Sequence, residues 1–207
     1  MSNRPSKIVC VGRNYVAHAR ELGNDTPDRP LLFLKPPSAL IGPGDDIVLP
    51  PDSERVEHEG EIAVVIGRRA RHVSEVEALA VVAGFAALND VTARDLQRLD
   101  GQWSRAKGFD TFCPVAEPGN APGGDWRALE VECRVDGAVR QHGSAADMVF
   151  SIPTLIAYVS RIMTLEPGDL IATGTPEGVG PLAPGDVVEV ELPGVSSLSN
   201  PVTMPES

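Results

Sequence analysis

The segment Val56-Glu57-His58-Glu59-Gly60-Glu61-Ile62-Ala63-Val64-Val65-Ile66-Gly67 decides how the chain is read. As extended backbone it alternates side chains between two faces. Ile62, Val64 and Ile66 share one face, while Glu59 and Glu61 share the other with Ala63 and Val65. Two carboxylates therefore point where apolar groups belong. Burying a pair of like charges costs several kcal/mol unless something compensates, and a hard divalent cation is the obvious compensator. The alternative is a strand that becomes buried only after Glu61, leaving both glutamates in solvent at its mouth.

Outward from this segment, short apolar runs bounded by Gly, Pro or Asp recur at Ile8 to Val11, Leu31 to Leu34, Phe85 to Leu88, Leu170 to Ala172 and Val187 to Val190. These predict strands. Leu129 to Val135 alternates apolar and polar residues and meets Asp136-Gly137, a dipeptide suited to a two-residue hairpin turn, so one face of that strand should be wet. Helical signals are fewer. Ser74 with Glu77 three residues on forms a capping box for a helix ending at Gly84. Ser151 caps a stripe of Ile152, Leu155, Ile156, Val159, Ile162 and Met163, and a short helix is expected from Tyr15 to Leu22 between Asn14 as cap and Gly23 as stop. With 20 Gly and 19 Pro in 207 residues, the fold class is α+β, mostly β, in a single domain over 1–207 with a flexible stretch at 1–6.

Composition excludes several function classes. The 18 Lys plus Arg against 29 Asp plus Glu give a net charge of −11, which repels nucleic acid and anionic membranes. The three widely spaced cysteines, Cys10, Cys113 and Cys133, suggest neither a disulfide framework nor a thiolate zinc site. No apolar run approaches the roughly 20 residues of a membrane span, so a cytoplasmic protein is expected.

Other residues join the two glutamates. Asp90 ends the run Phe85-Ala86-Ala87-Leu88-Asn89, where acidic residues are disfavoured; it is either a third ligand or a cap for the segment from Thr92. Three carboxylates without Cys would select Mg²⁺, Mn²⁺ or Ca²⁺. His58 faces away from them and reads as structural. His18 and Glu21 are neighbours if helical, so Glu21 can orient the imidazole as a base, or the two form a plain surface ion pair. Lys107 lies among aromatic residues and is either an oxyanion partner or a solvated charge with its stem on Phe109. The segment Thr173-Gly174-Thr175-Pro176-Glu177-Gly178-Val179-Gly180 lacks a phosphate-loop signature, but its amides can hold a carboxylate, or it is only an inter-strand turn.

Taken together, the chain resembles the fumarylacetoacetate hydrolase family, in its short acylpyruvate hydrolase branch. The resemblance is carried by Val9 to Tyr15 with His18 and Glu21, Leu32-Phe33-Leu34-Lys35-Pro36, His58-Glu59-Gly60-Glu61, Asn89 to Asp95, Lys107-Gly108-Phe109-Asp110, Phe150-Ser151-Ile152-Pro153 and Thr173 to Gly180. It implies a mixed β-roll, a homodimer, and Mg²⁺ or Mn²⁺ on Glu59, Glu61 and Asp90. It further implies a His18–Glu21 dyad on a lid helix, Lys107 facing the metal, and Arg13, Gln97 and Thr175 on the keto-carboxylate of the substrate. The implied activity is metal-dependent hydrolysis of a carbon–carbon bond in a 2,4-diketo acid such as acetylpyruvate or fumarylpyruvate, in aromatic catabolism. Oxaloacetate decarboxylation, 2-hydroxymuconate-type isomerisation and a non-catalytic, metal-stabilised interaction protein are the rival readings. Gly60 departs from the larger residue often found between the glutamates, and the amino-terminal domain carried by some relatives is not expected here.

Overall fold

The computed structural model describes residues 4–21, 23 and 25–205. Two five-stranded sheets carry the architecture. In the first, the order is Leu31–Lys35, Ile8–Gly12, Leu170–Ala172, Gly60–Ile66 and Val82–Asn89. Pairing is antiparallel except for Ile8–Gly12 against Leu170–Ala172, which is parallel. The second sheet runs Ala138–Ser144, Glu130–Val135, Val187–Leu192, Ser196–Thr203 and Ile47–Val48. A smaller sheet joins Gly180–Pro181, Val56–His58 and Thr92–Ala93. The mostly-β expectation holds.

The alternation read from the sequence places the core. Ile62, Val64 and Ile66 pack with Val9, Val11 and Ile171 against Val131, Cys133, Val188 and Val190 of the second sheet. Ala63 and Val65 face a second cluster with Ile8, Cys10, Ala86 and Leu88. Burying a Val, Leu or Ile side chain contributes roughly 1.5–3 kcal/mol, so these two layers dominate the stabilisation. Gly60 sits where the sheets approach, and a Cβ there would lie 2.8 Å from the Cβ of Cys133. A larger residue at 60 requires the Glu130–Ser144 hairpin to shift, so packing explains this departure from the family pattern.

The hairpin forms as read. Asp136 and Gly137 take φ of 53° and 74°, the positive values a two-residue type I′ turn requires. Several local expectations are corrected. The helix after the Ser74–Glu77 capping box covers only Glu75–Ala78, and a 3-10 turn leads into the strand Val82–Asn89, so Gly84 is a strand residue. A Cβ at Gly84 would come 2.8 Å from the Gly119 carbonyl oxygen, so close backbone approach, and not a helix end, demands glycine there. The helix Ile152–Ile162 is capped by Ser151 as expected, but Ile162 is exposed at its end. The short helix covers Val16–Glu21, with Gly23 left-handed after it; Leu22 lies outside the described residues. Asn14 does not cap this helix. Its amide instead donates to the carbonyls of Phe150 and Thr173 and accepts from the Phe150 amide. Residues 1–3 of the expected flexible stretch also lie outside the described residues, while Ser6 is fixed by its amide and hydroxyl on Asp169, 2.9 and 2.7 Å.

Candidate active site

Of the residues singled out above, Arg13, His18, Glu59, Glu61, Asp90, Gln97, Lys107 and Thr175 line one cavity of about 270 Å³, while Glu21 reaches it through His18. Glu59 occupies the break between Val56–His58 and Gly60–Ile66, strands of different sheets. Its carbonyl accepts from the Asp90 amide at 2.8 Å and its amide donates to Asn89 Oδ1 at 2.9 Å. These bonds bring Asp90 beside the glutamates although the sequence separates them. Carboxylate oxygens of Glu59, Glu61 and Asp90 lie within 4.8 Å of one another, and all three residues are buried. Neither solvated glutamates nor a capping Asp90 describes this arrangement: the helix Arg94–Asp100 starts without a side-chain cap.

Buried cations surround the triad. Lys107 Nζ donates to Glu59 Oε2 at 2.7 Å and Asp90 Oδ2 at 2.6 Å, and stands 4.9 Å from the centre of the Phe33 ring. It is 2% exposed, which rules out the solvated-charge reading. Burial pulls its ammonium pKa down, but Asp90 and Glu59 outweigh this and lift it to about 12. Lys35 Nζ donates to Asp90 Oδ1 at 2.7 Å and to the Val91 carbonyl at 3.0 Å. Arg94 grips Glu57 through Nε at 2.7 Å, Glu59 through Nη2, and Gln97 Oε1 through Nη1 at 2.6 Å. Lys35 and Arg94 stood inside recognised motifs, yet nothing local in sequence revealed their acceptors.

The two glutamates differ. Burial pushes the Glu59 carboxyl up, but Lys107 and Arg94 hold it well below the ordinary carboxylate range. Glu61 is driven well above that range by burial, Asp90 and Glu59. Among the described residues its hydrogen-bond donor is the Gly174 amide, at 2.8 Å. Four buried carboxylates, those of Glu57, Glu59, Glu61 and Asp90, thus face three buried cations, Lys35, Arg94 and Lys107. The set is short of positive charge on the Glu61 side, and its hard oxygen donors are those taken by Mg²⁺, Mn²⁺ or Ca²⁺. The residues present fit a divalent cation.

His18 stands across the cavity, 4% exposed, with Nδ1 3.3 Å from Glu21 Oε2. Burial lowers its pKa while Glu59 and Glu21 oppose the shift, leaving a neutral imidazole at neutral pH, the form that accepts a proton. The Gly178 amide holds Glu21 at 3.1 and 3.2 Å. The glycine-rich turn therefore holds two of the chain's own carboxylates, Glu61 and Glu21. Arg13, with a strained φ of 58°, and Gln97 and Thr175 line the same cavity. The carboxamide of Gln141 went unnoticed in the sequence. It accepts from the Gly60 amide at 2.9 Å, lies 3.0 Å from His58 Nδ1, and donates to Thr175 Oγ1 at 2.7 Å and the Pro176 carbonyl at 2.8 Å. His58 is structural, as read.

The profile of the fumarylacetoacetate hydrolase C-terminal family matches residues 7–203. The chain belongs to this family. It is 46% identical over 203 residues to the mitochondrial oxaloacetate tautomerase of Arabidopsis thaliana, covering 96% of this chain and 91% of that protein. Among solved structures, the 5-carboxymethyl-2-hydroxymuconate delta-isomerase of Mycobacterium smegmatis superposes with a TM-score of 0.89 at 46% identity, over 99% of this chain and 81% of that one. The fumarylpyruvate hydrolase of Pseudomonas aeruginosa, in complex with Mn²⁺ and pyruvate, gives 0.90 at 32% identity, over 97% and 91%. Members of this family are enzymes, hydrolases, isomerases and tautomerases among them. No helix among the described residues is long and apolar enough to cross a membrane.

Proposed function

We propose that the protein is a divalent-metal-dependent enzyme that moves a proton at C3 of a short 2-oxo acid, interconverting the keto and enol forms of an oxaloacetate-class substrate. The observation that carries this reading is the His18–Glu21 dyad facing the Glu59–Glu61–Asp90 triad across one small, cation-lined cavity. The tautomerase and isomerase at 46% identity support it, since both names denote shifts of this kind.

The three carboxylates would hold Mg²⁺ or Mn²⁺, which supplies Lewis acidity to the 2-keto and carboxylate oxygens of the substrate. Arg13 binds that carboxylate through its guanidinium and Thr175 through its backbone amide, because the Thr175 hydroxyl already donates to the Gly60 carbonyl at 2.9 Å. Gln97 joins them through its amide hydrogens, because its carbonyl oxygen is already engaged by Arg94. Neutral His18 takes the C3 proton, and Glu21 stabilises the imidazolium that results. The electron pair of the broken C–H bond becomes the C2–C3 double bond, leaving negative charge on the C2 oxygen, which Lys107 faces. Return of the proton from His18 to that oxygen completes the enol.

Hydrolysis of an acylpyruvate is the second reading, favoured by the fumarylpyruvate hydrolase likeness. There His18 takes a proton from water, which attacks the 4-carbonyl, and the C3–C4 bond breaks to release the pyruvate enolate. The test follows enol absorbance with oxaloacetate, and pyruvate release from acetylpyruvate, fumarylpyruvate and oxaloacetate, in Mg²⁺, Mn²⁺ and chelator. We expect chelator-sensitive tautomerisation as the fastest reaction. Faster pyruvate release from the diketo acids installs hydrolysis, and from oxaloacetate installs decarboxylation. Metal retention without turnover installs the binding-protein reading. Sedimentation equilibrium checks the homodimer implied by the family.

A further inference from the structure

We infer that Arg98 is the specificity-determining residue of the site, and that the substrate it selects is a 2-oxo dicarboxylate whose distal carboxylate it binds. The inference rests on the proposed 2-oxo acid chemistry and narrows it to one class.

Arg94, Gln97 and Arg98 occupy positions i, i+3 and i+4 of the helix Arg94–Asp100 and all line the cavity, as neighbours on one helical face do. Their donors are committed in a graded way. Arg94, the innermost, spends its guanidinium on Glu57, Glu59 and Gln97. Gln97 has its oxygen engaged and its amide hydrogens without a protein acceptor among the described residues. Arg98, one turn or about 6 Å further along the axis, makes no ion pair, hydrogen bond or ring contact with the described residues.

Arg98 is exposed, and the same helix carries two acids. Both are taken by others. Asp95 accepts from the Ser53 hydroxyl at 2.6 Å and the Glu54 amide at 3.0 Å. Asp100 is gripped through both oxygens by Arg105, at 2.6 and 2.8 Å. In a chain of net charge −11, this exposed arginine of the cavity lining is thus left unneutralised. Trp103, packed edge-on to Phe33, is another wall of the same cavity.

The chemistry that matches is a second carboxylate, distal to the 2-oxo acid end held at the triad. A short 2-oxo dicarboxylate offers both groups, with its C1 carboxylate and 2-keto oxygen at the triad end and its distal carboxylate at Arg98. An acyl group ending in methyl offers Arg98 nothing. The planar guanidinium pairs bidentately with a carboxylate, which an ammonium cannot do.

The test measures binding and turnover in wild type, Arg98→Gln and Arg98→Lys, each with Mg²⁺. Binding uses malate and lactate, unreactive 2-hydroxy acids that differ by a distal carboxylate. Wild type should bind malate more tightly, and Arg98→Gln should cut the malate-to-lactate affinity ratio about tenfold, the lower end for a charge-assisted contact. Arg98→Lys should retain part of the ratio. Arg98→Gln should also lower kcat/KM for oxaloacetate relative to acetylpyruvate by a similar factor, through KM. A wild-type protein indifferent to the distal carboxylate, or an Arg98→Gln variant whose ratios are unchanged, overturns the inference. Because malate and lactate do not react, this result is independent of which reaction the enzyme catalyses. Failure of turnover alone strikes the parent reading, and failure of the binding ratio alone strikes Arg98.

Discussion

Two buried aspartates, Asp90 and Asp169, show what separates a structural carboxylate from a functional one. Both side chains are fully shielded from solvent. Asp169 is alone among donors: the amides of Ser6, Lys7 and Glu166, the Ser6 hydroxyl and the Lys7 ammonium all point at it. It closes the amino-terminal segment onto the turn before Leu170–Ala172. Asp90 is held by Lys35 and Lys107 and stands beside two further carboxylates. Burial is common to both, so it marks neither as functional. Convergence with Glu59 and Glu61 is what makes Asp90 a candidate ligand, because with Glu57 four buried carboxylates share only three buried cations.

Substitution should break the comparison unequally. Asp90→Asn should lower kcat by on the order of 10³-fold or more and abolish the rise in Tm that Mg²⁺ gives the wild type; enzyme assay and thermal melts check both. Asp169→Asn should leave kcat/KM near wild type but destabilise the fold by about 2–4 kcal/mol, since the new amide turns two hydrogens toward donors; urea unfolding measures it.

The pH dependence sharpens the contrast. Burial pushes the Asp169 carboxyl up, yet the Glu166 amide, Lys7 and Ser6 hold it below its ordinary value. Its folded-state pKa is therefore depressed. The stability it contributes is present above the unfolded-state value near 3.9 and is lost as pH falls through the folded value. The gap between wild type and Asp169→Asn should accordingly stay level from pH 8 to 5 and narrow below about 4, read from urea midpoints. The smallest effect is expected of Lys7→Ala, at about 1 kcal/mol or less, because the Lys7 side chain is partly exposed and the amide donors on Asp169 remain.

The site was legible in sequence where local chemistry conflicted with local pattern. Glu59 and Glu61 stood out because strand alternation assigned them an apolar face, and Asp90 because an acid closed an apolar run. The Asp136-Gly137 turn and the Ser151 cap were legible because each is fixed by neighbours a few residues apart. The partners were not. Gln141 contacts Gly60 and Thr175 across 81 and 34 positions, and Arg94 reaches Glu57 across 37; no periodicity encodes such distances. Gly84 misled because glycine serves a helix end and a crowded strand equally well, and only the nearby Gly119 carbonyl distinguishes them.

The parallel pairing of Ile8–Gly12 with Leu170–Ala172 has a kinetic consequence. The strand Ile8–Gly12 acquires its parallel neighbour only after the chain between them has been made, and the Ser6–Asp169 contact closes a loop of 163 positions. Loop closure on that scale is entropically late, and topologies rich in such contacts fold slowly. Arg13 and His18 follow that strand and Thr175 follows its distant partner, so completion of the candidate cavity depends on this late pairing. A nascent chain can therefore show native hairpins well before it can turn over substrate, and the onset of activity during refolding reports completion of the central sheet.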